Sequence, residues 1–99
     1  MTVYVIAQLK FTDRAAYNRY QAAFIDVFAR YSGTLLAADE SPQVYEGATD
    51  REKVVLMSFP DAIAFRAWAE SPEYLEISKD RHAGADTVTL LVKGLGHRS

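Results

Sequence analysis

Three observations predict an α+β fold of order βαββαβ. Two runs rich in β-branched residues, Val3 to Ala7 and Val54 to Met57, are apolar without alternation. Between the strand-like runs lie stretches whose apolar residues recur at helical spacing. Asp, Pro and Gly stand where one type of element gives way to the next. The chain is 99 residues long with 49% apolar and 24% charged residues, the usage of a single globular domain. Residues 1–95 are expected to form that domain and 96–99 a short polar tail.

The first strand covers residues 2–11, its apolar run fitting a strand buried on both faces. Thr12 and Asp13 then supply N-cap chemistry, with a carboxylate at the positive end of the helix dipole. The first helix spans residues 13–31, and Tyr17, Tyr20, Phe24, Val27, Phe28 and Tyr31 form one stripe along it. Ser32 and Gly33 close it, Gly33 taking the left-handed conformation. A second strand covers residues 34–38, interrupted by Asp39-Glu40-Ser41-Pro42. Residues 43–46 read as extended again, and 47–50 as a turn. The third strand covers residues 53–59, and Pro60-Asp61 stops it and opens a helix over 61–70 carrying Ala64, Phe65 and Trp68. Ser71 as N-cap and Pro72 at the first helical position restart a third helix to about residue 80, with Gly84 ending the segment. The fourth strand covers residues 86–93.

Two right-handed β-α-β crossovers around a central hairpin give a ferredoxin-like sheet: four antiparallel strands, order 4-1-3-2, with the helices on one face. The other face of such a sheet is usually wet and polar. Here it is apolar at its centre: Tyr4 and Ile6 lie opposite in parity to Val3, Val5, Ala7 and Leu9, and the third strand divides into Val54/Leu56 and Val55/Met57. A patch of that size calls for cover, and a homodimer packed sheet to sheet is the simplest solution.

The charge balance, −2, leaves no footprint for nucleic acid or an anionic membrane. The chain has no cysteine and only two histidines, so no Cys-based metal site, thiolate chemistry or multi-His site is expected, and no cofactor is called for. Residues 3–9 are too short to span a bilayer and lack signal-peptide flanks, so a cytoplasmic protein is expected. There is no Gly-rich phosphate loop and no Ser-His-Asp set.

Several strings carry a resemblance. They are Tyr20; Tyr31 with Gly33; Glu46-Gly47; Val54-Val55-Leu56 leading into Phe59-Pro60; Ala67-Trp68 followed by Ser71-Pro72-Glu73-Tyr74; and Arg81. Through them almost the whole chain resembles the DUF1330 proteins, small bacterial members of the dimeric α/β-barrel superfamily. It departs from their pattern at three places: Ser58 stands where Glu usually precedes Phe-Pro, Ala69 replaces an aromatic, and the closing Val-Glu-Gly is Val92-Lys93-Gly94. The resemblance implies a dimeric ferredoxin-like fold with a pocket between helices and sheet. It implies no single reaction, since the superfamily includes cofactor-free monooxygenases of polyketide quinols, haem-degrading oxygenases, muconolactone-type isomerases and stress-related proteins.

Within that frame Arg81 and His82 are the candidate catalytic pair. Arg81 shares a helical stripe with Tyr74, Ile77 and Ser78. A charge on an inward stripe is either paired, here with Glu46 or Asp86, or it meets a ligand carboxylate, enolate or carbonyl oxygen. His82 is either a general acid or base, or a solvent-facing cation at the helix end. Tyr20, Phe24, Trp68 and Tyr74 are the candidate ligand-binding walls, or else plain core, with Ser58 and Gln8 either adding hydrogen bonds or standing as surface or edge residues. Asp39, Glu40 and Glu46 read as a solvated acidic surface. Two functions follow: a binder of a small apolar or aromatic ligand acting as a cofactor-free oxygenase or isomerase, or a non-enzymatic stress-related or interaction module without a pocket.

Overall fold

The structure is a computed structural model describing residues 1–96. The elements run β1 (Val3–Phe11), α1 (Arg14–Phe28), β2 (Thr34–Asp39), β3 (Lys53–Phe59), α2 (Ala62–Ala69), α3 (Pro72–Gly84) and β4 (Ala85–Lys93). One antiparallel sheet has the order β2-β3-β1-β4, the expected order read from the other edge. The expected polar tail, beyond Gly96, lies outside the described residues.

Local chemistry explains the boundaries. The side chains of Asp13, Asp61 and Ser71 each accept a hydrogen bond from the backbone N–H three residues on, and Pro72 follows at the start of α3. Two helix ends differ from expectation. α1 stops at Phe28, and the chain tightens into three-residue turns, Arg30 N to Val27 O and Tyr31 N to Phe28 O, both 3.1 Å. Gly33 is not left-handed; among the described residues only Gly47 has a positive φ, 92°. Gly33 is required for space instead, because a Cβ there would stand 2.6 Å from both the Phe28 and Phe59 rings. α3 runs a turn past residue 80, carrying Arg81 and His82 into its last turn, where cations suit the dipole. Its final carbonyl, on Gly84, accepts from Thr12 N at 2.9 Å and Asp13 N at 3.1 Å, so the end of α3 is pinned to the start of α1. The stretch 43–46, expected to be extended, forms no ladder.

Directly paired residues of an antiparallel sheet share a face. Val3, Val5 and Leu9 of β1 therefore bury with Phe59 and Met57 of β3 under Tyr17, Tyr20, Phe28, Trp68 and Tyr74. The opposite face carries no helix. Across its centre run Leu56, Ile6 and Leu90, flanked by Tyr4 with Val92 and by Val54 with Val88. Leu90 is 46% exposed in the isolated chain and Tyr4 41%.

Candidate functional site

A cavity of about 720 Å³ lies between the helices and the sheet. Its floor follows from the register. Ala7 sits beside Thr89 on one side and Val55 on the other, with Ala38 beyond Val55. These small side chains leave room beneath the aromatic layer. Its walls are Tyr17, Tyr20, Phe24, Phe65, Trp68 and Tyr74. Trp68 anchors them, its ring centroid 4.2 Å from that of Tyr74, 5.5 Å from Phe28 and Phe59, and 6.0 Å from Phe24.

The structure brings Tyr20, Phe24, Trp68, Tyr74, Arg81 and His82 onto this one cavity, while Ser58 is not on its wall. Ser58 pairs with Tyr4 and lies on the helix-free face, because it alternates with Met57 and Phe59. Gln8 shares that face for the same reason, between Val54 and Val88. Both residues are corrections to the expected pocket.

Tyr20 and Tyr74 hydroxyls lie 2.8 Å apart, both residues buried. Burial pushes the Tyr20 phenol far above its ordinary pKa; Tyr74 beside it adds to the rise and the Arg81 guanidinium opposes it. Tyr20 therefore stays protonated and acts as a hydrogen-bonding group, not a base. The pair holds two hydroxyl hydrogens and uses one between them, so one O–H remains to donate.

Arg81 is the unpaired charge. Its guanidinium carbon is 6.0 Å from the Tyr20 ring centroid, and it makes no hydrogen bond or ion pair with a described residue. The expected partners are not engaged with it: Asp86 pairs with Arg51 at 3.4 Å, and Glu46 lies on an exposed loop. The Arg81 Nε is buried without a partner, and the half-buried side chain lines both this cavity and a second hollow beside it. The other buried, unpartnered side-chain polar atoms among the described residues are Trp68 Nε1 and Thr87 Oγ1, so all three belong to residues of this cavity. His82 is exposed at the rim, lining both the cavity and a shallower hollow outside it.

Lys53 escaped the sequence reading. It is 5% exposed on the cavity wall, next to Leu9, with Nζ donating to Gln21 Oε1 at 3.0 Å, 3.5 Å from Glu40 and 4.9 Å from the Tyr17 ring centroid. Its signal was parity with Val55, Met57 and Phe59; position at the head of a strand disguised it as an edge. Glu40, exposed as expected of an acidic surface, bridges Lys53 and Arg14, whose Nη2 donates to both carboxylate oxygens at 2.8 and 2.9 Å. The Arg14 hydrogen bonds hold the Glu40 carboxyl below its ordinary value of 4.5. A depressed carboxyl stabilises the fold above its unfolded pKa and loses that contribution as pH falls through its folded pKa. Urea unfolding should therefore show wild type more stable than Glu40→Gln near neutrality, with the gap closing below pH 4.5. A gap that is constant with pH would contradict the network.

Among the described residues no group of three or more His, Asp or Glu side chains is placed to hold a metal ion, and no helix is long and apolar enough to cross a membrane. A family model described as a domain of unknown function, DUF1330, matches residues 2–95. The chain belongs to the DUF1330 family. No curated protein matches this DUF1330 chain significantly. Solved structures do. A protein of unknown function from Rhodopseudomonas palustris is 21% identical, with TM-score 0.80, covering 96% of this chain and 83% of that one. A dimeric ferredoxin-like protein of unknown function from Jannaschia is 13% identical, TM-score 0.75, covering 95% and 100%. SnoaB, a cofactor-independent oxygenase from Streptomyces nogalater, is 19% identical, TM-score 0.68, covering 96% and 94%. At these identities the likeness establishes that the DUF1330 chain has a ferredoxin-like fold, and the fold alone.

Proposed function

We propose that this DUF1330 protein is a homodimer in which each subunit binds a small apolar or aromatic organic ligand between its helices and its sheet. The aromatic-walled cavity of about 720 Å³, within the usual range for small-molecule sites, carries this reading. The apolar face around Ile6, Leu56 and Leu90 supports the dimer, as do neighbours described as dimeric. Cofactor-free oxygenation or isomerisation is the reaction class that this geometry and the SnoaB likeness support. In it the bare Arg81 edge steadies an oxyanion, the Tyr20–Tyr74 pair donates beside it, and His82 at the rim moves a proton.

The close packing of rings around Trp68 favours the second reading, a non-enzymatic module with a filled core. A single measurement separates the two. Trp68 is the sole tryptophan, so its indole N–H gives one resonance in a ¹H–¹⁵N spectrum. Titration with 2-naphthol should shift it saturably. No shift at millimolar 2-naphthol, with the protein folded, would leave only the filled core.

A further inference from the structure

The cavity's charge is lopsided. Two cationic side chains, Lys53 and Arg81, line it against one carboxylate, Glu40. That carboxylate is already held by Arg14 and Lys53, and Lys53 also donates to Gln21. Glu40 is a single negative charge shared by Arg14 and Lys53, and Arg81 is left as the cavity cation with neither a hydrogen bond nor an ion pair among the described residues, in a chain whose net charge is −2. Arg81 lines the cavity, and a guanidinium carries parallel N–H groups that match a planar carboxylate. Close by, the Tyr20–Tyr74 pair has one O–H to spare.

We infer that the ligand is a monoanionic aromatic or polycyclic carboxylic acid, its carboxylate held by the Arg81 Nη edge and its ring system against Phe24, Phe65 and Trp68. This deepens the ligand-binding reading and rests on it. The available donors select the head group: Arg81 is the cavity cation with no partner, and one guanidinium pairs with one carboxylate, whereas Lys53 is already held by Gln21 and Glu40 and offers no second free cation for a phosphate dianion. The aromatic walls select the body. A neutral ligand of the same shape would leave the guanidinium edge unpaired behind it, which costs affinity.

The test compares 2-naphthoate with its neutral isostere 2-naphthamide at pH 7, read by the Trp68 indole resonance. The acid should bind the wild-type protein at least ~10-fold more tightly, about 1.4 kcal/mol. Arg81→Gln should erase that preference while leaving naphthamide affinity within about threefold, and Lys53→Gln should retain it. Sodium chloride should weaken naphthoate binding to wild type and not that of naphthamide, which keeps the inference testable if the Arg81 variant does not fold. Equal affinities in wild type, a preference that survives in folded Arg81→Gln, or one abolished by Lys53→Gln would each overturn the inference while the cavity stands. Binding of neither probe would overturn the ligand-binding reading itself.

Discussion

Replacing Ile6 by glutamate should convert the proposed homodimer to a folded monomer. Ile6 sits at the centre of the helix-free face, between Leu56 and Leu90. In a sheet-to-sheet dimer a carboxylate there would be buried among the apolar side chains of the two-fold-related surface, a cost of about 3–5 kcal/mol, or roughly two to four decades in the dimer Kd. Light scattering should fall from twice 11.1 kDa to 11.1 kDa at micromolar concentration. The subunit should keep its far-UV circular dichroism and its Trp68 resonance, because Ile6 points away from the helices and the cavity. A wild-type chain already monomeric, or a variant still dimeric, would end the sheet-to-sheet arrangement.

The second large effect concerns Gly84, where two arguments disagree in sign. Glycine is a poor helix former, so propensity alone makes Gly84→Ala stabilising by up to about 1 kcal/mol. The junction opposes this. A Cβ on Gly84 would stand 2.4 Å from Tyr17 N and 2.7 Å from Asp13 O, both backbone atoms of the first turn of α1. No side chain can swing aside; α1 itself must move, and with it the two hydrogen bonds that Gly84 O accepts. Overpacking wins, and Gly84→Ala should lose ~3 kcal/mol. For a domain this size that lowers Tm by roughly 12–24 °C. A melting temperature unchanged or raised would show that the junction is looser than its geometry implies.

These two sites show what was legible in the sequence. The topology was, because each boundary is written in local chemistry: Asp13, Asp61 and Ser71 cap their helices by contacts within four residues. The doubly apolar β1 was too, because period-two parity needs no partner to read. The helical stripe was legible as well: Tyr74 and Ser78 are buried, and Arg81, a turn further on, lines the cavity with its Nε buried. Non-local facts were hidden. Gly33 stands where it does because Phe59, from a strand distant in sequence, meets Phe28 there. Lys53 looked like a polar strand end until Gln21, Glu40 and Tyr17 were brought around it. Ser58 shows the converse: its parity against Met57 was readable, and the residue type suggested a role that the parity denies.

The floor of the cavity has a consequence for how relatives of this chain diverge. Ala7, Ala38, Val55 and Thr89 set how deep a ligand can sink, and they lie on strands. Arg81, which holds the head group in the proposed complex, lies on α3. A methylene added to the floor shortens the tolerated ring system without disturbing Arg81, and a change at Arg81 alters the tolerated head group without changing depth. Under the proposed binding mode, length and polarity of the ligand would be set on separate layers of the subunit, free to change independently.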